Sequence, residues 1–393
     1  MKNRPRFVYT CSMNIPFPVS QTNVPPGFID LGLGDPAFSL LPLDMLRLAA
    51  TDCFARGDAS ILQYGAEQGN GPFRQALADF LGRGYGFPVD PAGLFVTCGA
   101  SGALDLLCTL FTSPGDTIFV EEPSYFLALR IFRDHGLHIL PIPTDADGLV
   151  VDWLEESLAE VHPKFLYIIP TFQNPSGQTL PLERRERLVS LAREHDFFVV
   201  ADEVYHFLDY TRQPPGPFAG YTKGGNIISL NSFSKILAPG LRLGWLQADG
   251  KIIQKLAGCG LLDSGGGMNP FTSAIVREVI KSGGLEKNIG KLKAVYESRL
   301  AGMDSALRRH FPEAQFTTPA GGYFFWVRRP GVDTSNLQTM AEAFQVGFRP
   351  GERFSSRGGL GEYMRLSFVF YGEQEIEEGV QRLNHCLDSL STA

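Results

Sequence analysis

The sequence has few cysteines, no long apolar run and no surplus of positive charge. None of the six cysteines belongs to a Cys-x-x-Cys pair, so we expect no disulfide framework and a reducing compartment, the cytoplasm. The net charge of −7 argues against a nucleic-acid partner. The apolar runs have the length of strands, and the N-terminus lacks an apolar signal core. The sequence therefore predicts neither a membrane segment nor a signal peptide.

Histidine is scarce as well. Of the seven histidines, only His135 and His138 lie close together, and this pair fits a helix end or packing on a sheet better than a metal site. We therefore expect no bound metal. The chain also shows no internal repeat and no low-complexity segment.

From about residue 45, apolar runs alternate with amphipathic segments. Strands are predicted at 94–97, 117–120, 138–142, 165–169, 197–201, 227–230 and 243–247. Helices are predicted at 43–56, 72–83, 102–112, 124–135, 152–160, 181–195, 269–282 and 285–310. This alternation predicts an α/β fold with a mostly parallel sheet that is covered on both faces.

The last ninety or so residues have a different pattern. Strands are predicted at 323–328 and 363–369, and a helix at 373–390. Residues 1–44 are rich in Pro, Ser and Gly and predict an extended arm with short strands. We expect a large domain at 45–295, and a small α+β domain formed by 1–44 and 296–393.

The most informative stretch contains Ser232, Ser234 and Lys235, with Arg242 seven residues after the lysine. A lysine amine can form a Schiff base with an aldehyde, and pyridoxal phosphate (PLP) is the aldehyde cofactor that uses one. Two serines and an arginine suit a phosphate dianion. Lys235 also lies among apolar residues, which is poor composition for a solvated surface lysine. The stretch therefore predicts an anchor and part of a phosphate site.

Weaker signals follow other predicted strands. Asp202, after the apolar run 197–201, could pair with a protonated pyridine nitrogen or cap a helix. The segment 99–102, Gly-Ala-Ser-Gly, could admit a phosphate or serve as a steric turn into a helix. Asn174 begins an Asn-Pro-Ser-Gly turn, and its amide could also enter a site. Arg365 could face a carboxylate or lie at a solvated strand edge.

In this order, the motifs resemble those of the class I/II aminotransferases, which are fold-type-I PLP enzymes. The similarity is greatest to the branch of aminoadipate and kynurenine aminotransferases and of the aminotransferase-like domains of bacterial regulators. It extends from about Asp30 to the C-terminus. The shared motifs are Pro-Gly-Asp at 114–116, Glu-x-Pro-x-Tyr ending at Tyr125, Asn-Pro-x-Gly at 174–177, Asp-Glu-x-Tyr at 202–205 and Ser-x-Ser-Lys-x(6)-Arg at 232–242.

The resemblance implies a seven-stranded, mostly parallel sheet in a three-layer α/β/α domain, with PLP as the cofactor. It implies that Lys235 forms the internal aldimine and shuttles the proton, and that Asp202 pairs with the pyridinium nitrogen. Tyr205 and Asn174 would hydrogen-bond the phenolic oxygen of the cofactor, and Tyr125 would stack on its ring.

The resemblance also implies the phosphate and substrate contacts. Tyr64 would reach the cofactor phosphate of the neighbouring subunit, which implies a homodimer with active sites at the interface. Arg365 would hold the substrate α-carboxylate, with Asn174 nearby and Gly34 at the substrate mouth. The phosphate of the same subunit would contact Gly99, Ala100, Ser101, Ser232, Ser234 and Arg242.

Two features depart from the family pattern or stay open. The glycine-rich segment 264–267 predicts either a flexible loop or room for a bulky substrate, with Asn269 as a contact. No second arginine can be assigned to a substrate side-chain carboxylate, because Arg349 and Arg353 cannot be ranked from sequence.

Four functions fit the motifs to different degrees. The first is an aminotransferase that exchanges amino groups between an α-amino acid and a 2-oxo acid. The same core residues would serve a PLP-dependent lyase, decarboxylase, cyclase or oxidase. A regulator with an aminotransferase-like domain would carry an N-terminal helix-turn-helix domain, whereas the segment before Asp30 is Pro-rich and non-helical in pattern. A non-catalytic relative would have lost Lys235 or Asp202.

Overall fold

Helices and strands alternate along residues 19–391, which the computed structural model describes. The strands are β1 (Ile29–Asp30), β2 (Leu94–Thr97), β3 (Thr117–Glu122), β4 (His138–Asp145), β5 (Gly148–Leu149), β6 (Phe165–Ile168), β7 (Phe198–Asp202), β8 (Ile227–Ser232), β9 (Gly244–Gln247), β10 (Phe324–Arg328), β11 (Val346–Gly347), β12 (Arg349–Pro350) and β13 (Tyr363–Ser367). The helices are α1 (Leu43–Ala55), α2 (Gly71–Tyr85), α3 (Gly99–Phe111), α4 (Phe126–Asp134), α5 (Val151–Leu158), α6 (Leu182–Glu194), α7 (Gly250–Ala257), α8 (Gly260–Gly265), α9 (Pro270–Lys281), α10 (Gly284–His310), α11 (Thr334–Ala341) and α12 (Glu373–Ser391).

The central sheet has eight strands in the order β2-β9-β8-β7-β6-β3-β4-β5. Strand β9 is antiparallel to β2 and β8, and β5 is antiparallel to β4. The other neighbours are parallel. All seven predicted strands are present, and β5 is an eighth strand that the prediction missed. It has two residues, which is too short to leave an apolar run in the sequence.

Both faces of this sheet are buried. Successive side chains of a strand point to opposite faces, and the two core clusters divide β3 accordingly. Ile118 and Val120 belong to one cluster and Phe119 to the other. Helix α3 packs on β8 and β9 with the first cluster, whereas α6 packs on β7 with the second. The fold is therefore the predicted three-layer α/β/α arrangement.

The C-terminal part contains a second, smaller set of elements. Strands β10, β13 and β12 form a three-stranded antiparallel sheet, and α12 packs along α10. Strand β1 of the N-terminal arm pairs in parallel with β11, which joins the arm to this part of the chain. The predicted domain boundaries at 44/45 and 295/296 stay a prediction, and the first eighteen residues of the arm lie outside the described residues.

Local sequence explains several helix ends. The Asn70 side chain accepts a hydrogen bond from the Phe73 amide at 2.9 Å and caps α2, which ends at Gly86 in the left-handed conformation (φ 76°). Within residues 19–391, no helix is long and apolar enough to cross a membrane. In the same range, no cluster of His, Cys, Asp and Glu side chains could hold a metal ion.

Candidate active site

One edge of the central sheet collects most of the predicted site residues. Strand β7 ends at Asp202 and β8 ends at Ser232, while Asn174 follows β6 and Tyr125 follows β3. These strands are neighbours and parallel, so their carboxyl ends lie along the same edge. Ligands bind at this edge in open α/β sheets.

Lys235 lies just beyond β8 with its amine turned into the protein. Its Nζ donates a hydrogen bond to the Gly34 carbonyl oxygen at 2.8 Å and lies 5.0 Å from the centre of the Tyr323 ring. The Tyr323 hydroxyl in turn donates to the Lys235 carbonyl oxygen at 3.2 Å. Burial lowers the pKa of Lys235 to about 8, although the negative charges of Asp35 and Asp202 oppose that change. The amine is therefore partly neutral near physiological pH.

Asp202 is buried, and its two carboxylate oxygens have different surroundings. Oδ2 accepts a hydrogen bond from the Tyr167 hydroxyl at 2.9 Å. Oδ1 has no hydrogen-bond partner among the described residues. Burial raises the pKa of Asp202 to about 6. A buried oxygen without a donor is costly, so Oδ1 fits a ligand that brings an N–H group.

The first turn of α3 lies beside Arg242. We expected this helix to begin at residue 102, but it begins at Gly99, so Gly99, Ala100 and Ser101 form its first turn. The preceding Cys98 contributes no side-chain cap, which leaves the first backbone N–H groups without a capping side chain. Arg242 Nη2 donates to the Cys98 carbonyl oxygen at 3.0 Å. This arrangement of N–H groups and a guanidinium suits an anion.

Two glycines allow that close approach. A Cβ on Gly244, at the start of β9, would lie 2.8 Å from the Gly99 Cα atom. Gly99 itself has φ 83°, and a Cβ there would lie 3.1 Å from Arg242 Nη2. Nearby, the Ser232 hydroxyl donates to the Ser234 hydroxyl oxygen at 2.9 Å. The predicted phosphate residues on three segments are thus gathered around the start of α3.

Arg365 faces inward from β13, and is not a solvated edge residue. Its Nη1 donates to Asn174 Oδ1 at 2.9 Å, and its Nη2 donates to the Gly32 carbonyl oxygen at 2.8 Å. Its buried Nε has no partner among the described residues. The guanidinium carbon lies 3.9 Å from the centre of the Phe324 ring, and a Cβ on Gly34 would lie 3.1 Å from that ring. The absence of a side chain at Gly34 therefore leaves room for the Phe324 ring.

Two tyrosines complete the inner part of the site. Tyr205 is buried, and burial raises the pKa of its hydroxyl well above the usual range, while the Asn174 side chain opposes that rise. Tyr125 immediately precedes α4, and burial raises the pKa of its hydroxyl to about 12. Both hydroxyls therefore stay protonated at neutral pH and can donate hydrogen bonds.

Tyr64 differs from the other predicted site residues because its side chain is 80% exposed. The glycine-rich segment supports the backbone beside it, since Gly267 forms a bridge with Gly65. A Cβ on Gly267 would overlap the Ala66 carbonyl oxygen. The segment is therefore not a free loop: it ends α8 and then packs on the Tyr64 loop. Gly265 and Gly267 also line a cavity beside Tyr64, and its use by a bulky substrate stays a prediction. Asn269 donates to the Arg242 carbonyl oxygen, and its contact with a substrate stays a prediction.

The structure also shows whether Arg349 or Arg353 is available to bind a substrate side-chain carboxylate. Arg349 donates from Nη1 and Nη2 to the two carboxylate oxygens of Asp30, at 3.0 and 2.9 Å. Its charge is therefore already paired. Arg353 is exposed. Neither is a buried, unpaired guanidinium beside Arg365.

Sequence reasoning missed a buried network behind Asn174. Glu121, near the end of β3, accepts hydrogen bonds at Oε2 from the Ile169 amide at 2.8 Å and from Gln173 Nε2 at 3.4 Å. Gln173 Nε2 also donates to the Pro123 carbonyl oxygen at 2.7 Å, which fixes the residue before Asn174. Burial raises the pKa of Glu121 to about 8. The signals for it in the sequence were a glutamate at the end of an apolar run and its place as the first residue of the Glu-x-Pro-x-Tyr motif.

Comparison with known proteins agrees with this geometry. A family model described as aminotransferase class I and II matches residues 26–383. Aromatic-amino-acid aminotransferase 1 of Thermococcus litoralis is 37% identical over 364 residues, 90% of this chain and 87% of that protein. The 2-aminoadipate transaminase of Thermus thermophilus is 34% identical over 375 residues, 93% and 91% of the two chains. The structure of Pyrococcus horikoshii kynurenine aminotransferase, solved in complex with PMP, is similar with a TM-score of 0.87 and 35% identity, over 93% and 92% of the chains.

The sheet, the buried lysine and the carboxylate at the end of β7 define a PLP-dependent enzyme of fold type I. The family match covers most of the chain and two relatives exceed 30% identity. The chain therefore belongs to the class I and II aminotransferases, which use PLP as their cofactor.

Proposed function

We propose that this aminotransferase moves an amino group between an α-amino acid and a 2-oxo acid, with Lys235, Asp202 and Arg365 as its central groups. The observation that carries the proposal is a set of three groups at the carboxyl edge of the central sheet, which Arg365 of β13 reaches through its hydrogen bond to Asn174. These are a partly neutral amine, a carboxylate oxygen without a donor and a guanidinium Nε without an acceptor. They fit, in turn, the aldehyde of PLP, its ring nitrogen and the substrate α-carboxylate.

The chemistry divides between cofactor and chain. When bound, PLP supplies an aldehyde that condenses with amines and a ring that accepts the electron pair left at Cα. Lys235 Nζ would attach the cofactor covalently at rest. Once the substrate amine has displaced it, the free amine would take the proton from the substrate Cα, for which its lowered pKa is suited. Asp202 Oδ1 accepts a hydrogen bond from the protonated ring nitrogen. Arg365 holds the α-carboxylate, so that the Cα–H bond stays within reach of Nζ.

The remaining predicted residues have supporting roles in this proposal. Tyr205 and Asn174 donate hydrogen bonds to the phenolic oxygen, and Tyr125 stacks on the ring. Gly34 lines the substrate mouth, which is consistent with its carbonyl contact to Lys235. The phosphate is held by Gly99, Ala100, Ser101, Ser232, Ser234 and Arg242.

A second copy of the chain completes the site in this proposal. Several large apolar side chains are exposed around the Tyr64 loop and on α1, α8 and α9, namely Leu48, Phe54, Leu62, Leu261 and Phe271. Water contact with so many neighbouring apolar groups is unfavourable, which supports a homodimer that buries them. Tyr64 would then contact the cofactor phosphate of the partner.

Mixed dimers test this arrangement. Lys235→Ala and Tyr64→Ala chains should each have low activity, because each homodimer lacks one group at both sites. Co-expressed in equal amounts, they should recover about a quarter of the unmodified activity, since half of the dimers are mixed and each contains one intact site. A mixture no more active than the mean of the two variants would contradict a shared site, and so would a fully active Tyr64→Ala protein.

The surroundings of Arg365 favour a substrate with an uncharged aromatic side chain. Phe126, Phe324 and Phe354 lie with their ring centres 3.9 to 5.9 Å from its guanidinium carbon. The other arginine of this region, Arg349, is paired with Asp30. The names of the aromatic-amino-acid and kynurenine aminotransferases among the relatives support the same choice.

A single half-reaction tests the reaction and the substrate together. The PLP-loaded protein is mixed with one amino acid and no 2-oxo acid, and the products are identified by mass spectrometry. We expect pyridoxamine phosphate and the matching 2-oxo acid, formed about tenfold faster from phenylalanine, tyrosine or kynurenine than from aspartate. Loss of CO₂ or of a side-chain group would contradict transamination. A preference for aspartate would contradict only the substrate assignment.

We also propose a cytoplasmic location. Cys53, Cys98, Cys108, Cys259 and Cys386 are free thiols, and Cys11 lies outside the described residues. Free thiols are typical of a reducing compartment, which supports this location. Fractionation of the source cells with an antibody against the protein would test it, and recovery outside the cytoplasm would contradict it.

A further inference from the structure

Tyr167 is the only polar side chain of β6, whose other residues are Phe165, Leu166 and Ile168. Its side chain is 0% exposed, and its hydroxyl donates to Asp202 Oδ2 at 2.9 Å. A hydroxyl buried in an apolar strand costs free energy unless it is bonded. The Tyr167 hydroxyl therefore needs the Asp202 carboxylate as its hydrogen-bond acceptor.

The sheet register fixes how the two side chains meet. Tyr167 is paired with Val200 of β7, and Asp202, two residues further on, points to the same face of the sheet. The Tyr167 ring also packs edge-on against Phe132, with the ring centres 5.4 Å apart. Ring and strand are both held, so the hydroxyl meets Asp202 from one direction.

This contact divides the carboxylate into an occupied and a free oxygen. Oδ2 is taken by Tyr167, while Oδ1 lacks a partner among the described residues. Burial raises the pKa of Asp202 to about 6, and the hydrogen bond from Tyr167 opposes that rise. The tyrosine thus favours the ionised carboxylate as well as one orientation of it.

We propose that Tyr167 is a positioning residue, whose hydroxyl holds Asp202 so that Oδ1 meets the ring nitrogen of PLP. The inference rests on the proposed role of Asp202. Without the hydroxyl, the carboxylate loses its only side-chain donor among the described residues and is held less firmly, by the Val204 backbone alone. The hydrogen bond to the ring nitrogen then weakens, whereas contacts to the cofactor phosphate do not change.

The test compares PLP with its analogue in which a C–H group replaces the ring nitrogen. Equilibrium dialysis of the Tyr167→Phe apoprotein should show PLP affinity about tenfold lower, the usual effect of one hydrogen bond to a charged group, and unchanged affinity for the analogue. Tyr210→Phe is the matched control, because it removes another buried tyrosine hydroxyl, one that donates to the Gly322 carbonyl oxygen at 2.6 Å. Its ratio of PLP to analogue affinity should equal that of the unmodified protein.

Two results would overturn the role of Tyr167. One is an unchanged ratio of PLP to analogue affinity in Tyr167→Phe, which would mean that the hydroxyl only stabilises the fold. The other is a further loss of PLP affinity when Tyr167→Phe is added to Asp202→Ala, because a residue that acts through the Asp202 side chain has no effect once that side chain is gone. Failure of the unmodified protein to bind PLP would instead overturn the proposed function itself.

Discussion

The inner and outer parts of the active site differ in how far one chain determines them. The inner part, at the ends of β6, β7 and β8, is buried and internally bonded: Asn174 is held by Arg365, and Asp202 by Tyr167. The outer part comprises the start of α3 and the Tyr64 loop, and it is exposed at Ser101, Arg242 and Tyr64.

The difference follows from what each part must bind. A ring nitrogen and a reacting Cα need groups of fixed direction and altered pKa, and burial provides both. A phosphate dianion needs several donors and positive charge, which backbone N–H groups and an exposed arginine supply. We therefore expect substitutions in the inner part to act on the reaction, and those in the outer part to act on cofactor retention and assembly.

The largest effect is expected at the inner part for Lys235→Ala. Removing the amine removes both the covalent attachment and the base, so amino transfer should fall to background. Mass spectrometry after borohydride reduction should find the cofactor attached to the unmodified protein and not to this variant. Lys251→Ala, which removes an exposed lysine of α7, should behave as the unmodified protein. Covalent PLP in Lys235→Ala would refute the assignment.

Asp202→Asn, also in the inner part, should have the next largest effect. The substitution keeps the shape but removes the charge that stabilises the protonated ring nitrogen. Loss of one partner of a buried charged pair costs about 3–5 kcal/mol, which corresponds to a rate lower by roughly two to four orders of magnitude. Single-turnover measurements with saturating PLP would test this. A rate within about threefold of the unmodified enzyme would contradict the role of Asp202.

Gly267→Ala should disturb the outer part alone. The new Cβ would overlap the Ala66 carbonyl oxygen and push the Tyr64 loop away, at a cost of about 1–3 kcal/mol. We expect weaker PLP binding and weaker self-association, measured by dialysis and analytical ultracentrifugation. Gly265→Ala is the control, because a Cβ there meets nothing within 4 Å. Equal behaviour of the two variants would show that the tight packing at Gly267 is not required.

The smallest effect is expected for Glu121→Gln and concerns stability against pH. Because the folded pKa, about 8, lies above the unfolded value, Glu121 stabilises the fold fully only below the unfolded pKa. That contribution is lost as pH rises toward 8, by at most about 1.4 kcal/mol per pH unit. The free energy of unfolding, measured with urea between pH 5 and 8, should therefore fall less with rising pH in Glu121→Gln than in the unmodified protein. Parallel curves for the two proteins would contradict a raised pKa.

Much of the fold could be predicted because its signals are local. Each long strand of the central sheet contains an apolar run that ends at a polar or small residue. Asp202 comes at the end of one such run, and Lys235 follows three residues after the end of β8. The start of α3 was placed three residues late, because Gly99 and Ala100 carry no helix-start signal. The backbone of Gly99, at φ 83°, is packed against Arg242 and Gly244, which are distant in sequence.

The sequence by itself determined the layered α/β architecture and the residue types of the site, since periodicity and short motifs depend only on neighbouring residues. Only the tertiary structure decided which groups are paired and which are free. The Asp30–Arg349 ion pair joins opposite ends of the chain, and the Tyr167–Asp202 bond depends on the register of two strands. Burial then sets the pKa values of Lys235 and Asp202, and burial is a property of the whole fold.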